Sequence, residues 1–121
     1  MRSDLVEMVE TSFGSVWALE LLLVLCREPL RSWTAEELIQ ELRSSSLVVT
    51  QSIENLRAAG LALAEEDGTV RYGPASREQD DLVKELDFEY RVKPAAIRRL
   101  IIQNPTDKLR SFANAFNLKK S

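Results

Sequence analysis

Apolar residues along the chain change period several times, and each change marks an element. Leu5, Met8 and Val9 fall at i, i+3 and i+4 in "SDLVEMVETSFG", which predicts a short first helix with Ser3 as its cap and Gly14 as its break. "SVWALELLLVLCREP" is apolar around most of a helical circumference, so it predicts a central, buried helix stopped by Pro29, with Trp17 in the core. A short extended piece, "LRSW", follows. In "WTAEELIQEL" the Thr34/Glu37 pair has capping-box spacing, and Trp33 can staple onto Leu38. After the turn "RSSS", Ser46 is the expected cap of a helix whose Val49, Ile53 and Leu56 form a buried stripe and whose end is Gly60.

The period then drops to two. "LALAEEDGTVRYGP" predicts a β-hairpin around Asp67-Gly68, with Leu63 beside Tyr72 and Glu65 beside Val70. Helical spacing returns in "SREQDDLVKELDFEYRV", started by a Ser76/Gln79 capping box and striped by Leu82, Val83, Leu86 and Tyr90. Pro94 opens a further helix with Ile97, Leu100 and Ile101 on one face. Leu109, Phe112, Ala113 and Phe116 repeat at i, i+3, i+4 and i+7 in a last one. The expected class is mainly α with a small β-hairpin, an α+β domain. Residues 1–121 read as one domain, with a core at 16–74 and a helical extension at 76–121.

Composition narrows the chemistry. There is no histidine, so neither a Ser-His-Asp triad nor a Cys-His pair can form, and no imidazole can bind a metal. The single cysteine, Cys26, lies in the apolar run and reads as an inert buried thiol. Four glycines, none at phosphate-loop spacing, leave nucleotide binding without a cradle. No catalytic constellation, metal site or cofactor is expected. The lone cysteine and the absence of a signal-like start point to the cytoplasm. The longest strongly apolar run, "VWALELLLVLC", is too short to span a bilayer.

Net charge is unevenly spread. Residues 1–92 carry nine basic and 18 acidic side chains, whereas residues 93–121 carry seven basic side chains against Asp107 alone. That split predicts an acidic body with a basic tail, which docks on the body or meets an anionic partner.

The stretch from Val16 to Pro74 resembles the winged helix-turn-helix of bacterial regulators such as the MarR and ArsR groups. The features that carry this are the capped helix "TAEELIQEL", the serine turn, "I-x-x-L-x-x-x-G-L" and the Asp-Gly hairpin. The tail "AIRRLIIQNPTDKLRSFANAFNLKK" resembles the C-terminal part of small proteobacterial winged-helix proteins. The resemblance implies extra helices at both ends, and a cytoplasmic transcriptional regulator that binds double-stranded DNA, with the helix after the serine turn in the major groove and the hairpin as the wing. With Val49, Ile53 and Leu56 facing in, Leu47, Val48, Gln51, Glu54, Asn55 and Ala58 face out. Ser45, Gln51, Ser52, Asn55 and Arg71 are then the candidate DNA contacts, Gln51 and Asn55 being able to read adenine. A homodimer through Leu82, Leu86, Tyr90, Ile97 and Ile101 of the C-terminal helices is one expectation, and packing of those residues on the chain's own body is the other.

The recognition surface is nonetheless weakly basic. Its cations are Arg43, Arg57 and Arg71, while Glu65, Glu66 and Asp67 sit at the wing tip, where duplex affinity needs positive charge. The alternative is a protein-interaction module on the same fold that does not bind DNA, using Leu47 and Val48, with Leu109, Phe112 and Phe116 either docking in a partner's groove or packing on the chain's own domain.

Overall fold

The computed structural model describes residues 2–102. The candidate residues Leu109, Phe112 and Phe116, and the last helix expected around them, lie outside the described residues. The order is α1 (Ser3–Ser12), α2 (Val16–Arg27), α3 (Ala35–Leu42), α4 (Ser46–Ala58), β1 (Ala62–Ala64), β2 (Val70–Tyr72), α5 (Arg77–Val92) and α6 (Pro94–Ile102). The protein is mainly helical with a small antiparallel sheet.

Helix α2 is the hub. Leu19, Leu21, Leu22, Leu23 and Leu25 are fully buried, and α3, α4, α5, α6 and β2 all pack on it. An apolar residue on nearly every side of a helix is stable only if neighbours surround it, which is why this segment lies at the centre. Trp17 departs from expectation. It sits in the first turn of α2 and is 41% exposed, so it belongs to the surface and not to the core.

The helix starts follow local chemistry, with shifts of a residue. Thr34 and Glu37 form both hydrogen bonds of the capping box, and Trp33 and Leu38 are both buried. Helix α4 is capped by Ser45, whose hydroxyl accepts from the Val48 N–H, and not by Ser46, which is its first residue. Ser3 caps nothing. The residue at the N-cap of α1 is Arg2, which makes no side-chain cap, and Asp4 Oδ1 accepts from the neighbouring Leu5 N–H. At α5 the Ser76 hydroxyl accepts from the Gln79 N–H. The Gln79 side chain bonds the Ala75 N–H and the Ala59 carbonyl in place of the Ser76 N–H, so it ties α5 to the end of α4.

The hairpin register differs from the two-residue turn that Asp67-Gly68 suggested. Ala62 pairs with Tyr72, Leu63 with Arg71, and Ala64 with Val70. The turn holds three residues. The Gly68 N–H donates to Glu65 O at 3.0 Å, Gly68 takes φ 87°, and the Glu65 N–H donates to Thr69 O at 2.8 Å. This is a tight turn followed by a left-handed glycine, the usual three-residue hairpin loop. Moving the register by one residue exchanges the partners of every side chain across the ladder.

The piece before α3 joins this sheet. Trp33 and Val70 exchange both backbone hydrogen bonds at 2.8 Å, so β2 is paired on both sides at Val70. Beyond the hairpin, α5 and α6 close over α1 and α2. Val83, Leu86, Tyr90, Ile97 and Ile101 are buried within the chain and Leu82 packs against the same core. The stripes expected either to pair two copies or to cover the chain's own body do the second.

Candidate macromolecular interface

The surface formed by α4 and the hairpin is the candidate site. After its first residue, Ser46, the exposed positions of α4 are Leu47, Thr50, Gln51, Glu54, Arg57 and Ala58, which recur at helical spacing along one face. Compared with expectation the face is rotated. Val49 and Leu56 are buried with Ser52 between them, and Ile53 is only partly covered.

That rotation decides the fate of the candidate DNA contacts. Gln51 is exposed, as required of a reader. Ser52 is 3% exposed, on the side of α4 that packs into the core, and is not available to a ligand. Asn55 is committed inside the molecule. Its Nδ2 donates to Ser12 O at 2.7 Å and its Oδ1 accepts from the Gly14 N–H at 2.7 Å. It brackets the α1–α2 turn onto α4, and cannot offer both edges of its amide to a base. Ser45 is exposed, with its hydroxyl oxygen accepting the cap bond. Of the alternative pair, Leu47 is 65% exposed and Val48 is half-buried.

The cations on this surface are largely answered. Arg57 Nη1 donates to Glu54 Oε1 at 2.8 Å one helical turn away. Arg71 Nε lies 3.2 Å from Glu65 Oε1, a carboxylate oxygen that also accepts from the Ser32 hydroxyl. The Nε–Oε1 approach is an ion pair without hydrogen-bond geometry. At the turn, the Thr69 hydroxyl and N–H both donate to Asp67 Oδ1, which hold the Asp67 carboxyl below its ordinary range and keep it charged. Glu66 is exposed beside it. Arg43, at the end of α3, forms no ion pair among the described residues.

Sequence reasoning missed Thr50, because its face was assigned one position off, and gave the exposed Leu63 of β1 the wrong cross-strand partner, because of the register. A shallow groove of about 450 Å³ runs between the two elements, lined by Glu54, Arg57, Ala58, Ala62, Leu63 and Ala64. A second cleft of about 560 Å³ lies where the end of α2, Tyr72 of β2 and the start of α5 meet. There Tyr72 donates to Asp80 Oδ1 at 2.6 Å and Lys84 pairs with Asp80 Oδ2 at 3.1 Å. Burial, with Asp87 nearby, pushes the Cys26 thiol on this cleft up to about 11, so it stays protonated at neutral pH and is a poor nucleophile.

No known protein family, curated protein or solved structure matches this chain. Among the described residues no cluster of three acidic or sulfur side chains is placed to hold a metal ion, and no single helix is long and apolar enough to cross a membrane.

Proposed function

We propose that the chain is a cytoplasmic winged helix-turn-helix domain whose α4 and hairpin surface docks a protein partner. The fold reading draws support from the order of α2, an extended piece, α3, α4 and a hairpin, with Trp33 pairing on the other side of β2. The functional reading rests on one observation. Arg57 and Arg71, the two cations of α4 and the hairpin, are each matched by a carboxylate, Glu54 and Glu65, while Leu47 stands 65% exposed on the same face. Phosphate binding needs cations free to replace counterions. An exposed apolar residue on a face whose cations are already paired suits a protein surface, where the core of the contact is apolar and its rim polar.

Duplex DNA is the second reading. Gln51 at the middle of the exposed face favours it, with Arg43 at the start of the turn as a cation without an ion pair among the described residues. A photo-crosslinking amino acid placed at Leu47 in cells of the source organism separates the two. The expected product is a protein adduct, sensitive to protease and resistant to nuclease. An adduct that nuclease collapses would replace the protein reading with the DNA one.

A further inference from the structure

The small sheet has one closed edge and one open edge. On the closed side, Val70 gives its N–H and C=O to Trp33, both at 2.8 Å. Val70 therefore has neither group left for Ala64, the residue opposite it on β1. Backbone groups in an antiparallel ladder alternate between the two sides, and the Gly73 N–H to Leu61 O bond at 3.1 Å fixes the same phase at the other end. The N–H and C=O of Ala62 and Ala64 hence point away from β2, to the outer edge of β1. No described hydrogen bond uses them. Ala64 is exposed, so the edge is open there, whereas Ala62 is only 4% exposed.

The groove between β1 and α4 runs along this open edge. It is lined by Ala62, Leu63 and Ala64 from β1 and by Glu54, Arg57 and Ala58 from α4. The edge carries no lysine, no proline and no bulge, the usual devices by which an exposed strand is protected from pairing. Leu63, 49% exposed, stands on one face of the strand.

Charge decides what kind of strand fits. From Glu54 to Tyr72 there are four carboxylates, Glu54, Glu65, Glu66 and Asp67, against Arg57 and Arg71. A second copy of this edge would set like charges against each other. We propose that β1 accepts, by strand addition at its exposed end, an extended basic segment of a partner protein, with main-chain hydrogen bonds to Ala64 and lysine or arginine side chains beside Glu54 and Glu66. This deepens the protein-docking reading and rests on it.

The test uses the full-length, isotope-labelled chain and two capped heptapeptides, one alternating lysine and valine, the other alternating glutamate and valine. Addition of the lysine peptide is expected to slow amide exchange at Ala64 and to shift the signals of Leu63 and Ala58. The glutamate peptide is expected to do neither. Ala64→Pro removes one outward donor without touching a bond to β2, a substitution that edge strands tolerate, and is expected to weaken the lysine peptide roughly tenfold. Glu66→Lys, which leaves the backbone intact, is expected to weaken it as well, and carries the test if the proline variant does not fold. Slow exchange at Ala64 in the free chain would overturn the proposal, because the edge would already be taken by this chain or a second copy. Equal binding of both peptides, no binding of the lysine peptide, or indifference to both variants would overturn it too. A protein adduct from Leu47 alongside an unresponsive Ala64 would reject the strand and leave the α4 reading in place.

Discussion

Asn55 holds Gly14 across 41 residues of sequence: its Oδ1 accepts the Gly14 N–H at 2.7 Å while its Nδ2 donates to Ser12 O at the same distance. One amide thus completes the turn between α1 and α2 and fastens it to α4. Asn55→Ala deletes both bonds and leaves two turn backbone groups to find other partners. The expected loss is about 1–3 kcal/mol, read from urea unfolding. Gln51→Ala, one turn earlier and exposed, is expected to change stability by less than about 0.5 kcal/mol. Equal losses at the two positions would mean that the bracket contributes nothing.

The Tyr72–Asp80 bond links β2 to the first turn of α5. The Tyr72 hydroxyl, then Lys84, hold the Asp80 carboxyl below its ordinary range, against the opposing cost of burial. Burial, then the bond to Asp80, push the Tyr72 phenol above its ordinary range. A lowered carboxyl stabilises the fold above its unfolded value of 3.8, and that contribution disappears as pH falls through the folded value. A raised phenol stabilises it below the unfolded value of 10.0, and that contribution disappears as pH rises further. The stability lost by Tyr72→Phe is therefore expected to be greatest between about pH 5 and 9 and to shrink outside that window. Denaturation midpoints of both proteins from pH 3 to 10.5 check this, and a pH-independent difference would refute the linkage.

Cys26 tests the burial of the α2–α5 junction. With its thiol raised from an ordinary 9.0 to about 11, its thiolate fraction at pH 8 is roughly a hundredfold below that of a free cysteine. Alkylation by iodoacetamide is expected to be slower by about that factor and to accelerate with pH well beyond 9. Reaction at the rate of free cysteine would show that the thiol is open to water.

Arg43 is the one described non-glycine residue with positive φ, at 52°, and it ends α3. A side chain carries a steric cost there that glycine does not, offset in part by glycine's greater freedom when unfolded. Arg43→Gly is expected to stabilise the protein by about 0.5–1 kcal/mol, measured by thermal unfolding. Destabilisation would mean that the arginine side chain itself makes a contact worth more than the strain.

Gly73 and Leu63 share one space. A Cβ at Gly73 would lie 2.5 Å from Leu63 Cγ and 2.6 Å from its Cδ1. Gly73→Ala is expected to cost about 1–2 kcal/mol by displacing Leu63 from the strand. In a Leu63→Ala background the same change is expected to cost less than about 0.5 kcal/mol, because the clashing atoms are gone. Additive costs would place the strain elsewhere.

Most of the elements were legible along the chain because their causes are local. Thr34 and Glu37 satisfy the first N–H groups of α3 from three residues apart, Pro94 begins α6, Gly60 takes φ 74° after α4, and the leucines of α2 require surrounding neighbours wherever they lie. The mainly helical class with one hairpin follows from those causes alone. What the chain could not reveal is set by partners distant in sequence. Ser52 is buried because α4 lies against α2, and Asn55 is occupied because Ser12 and Gly14 arrive beside it. Leu63 sits opposite Arg71 because the turn closes over three residues and not two. Trp17 is exposed because it falls on the outer side of the first turn of α2, whose Ala18 and Leu19 face the core. Periodicity names a helical face only to within about one residue, some 100° of rotation. One residue is the difference between an asparagine that reads a base and one that closes a turn, and only packing against the rest of the fold removes that ambiguity.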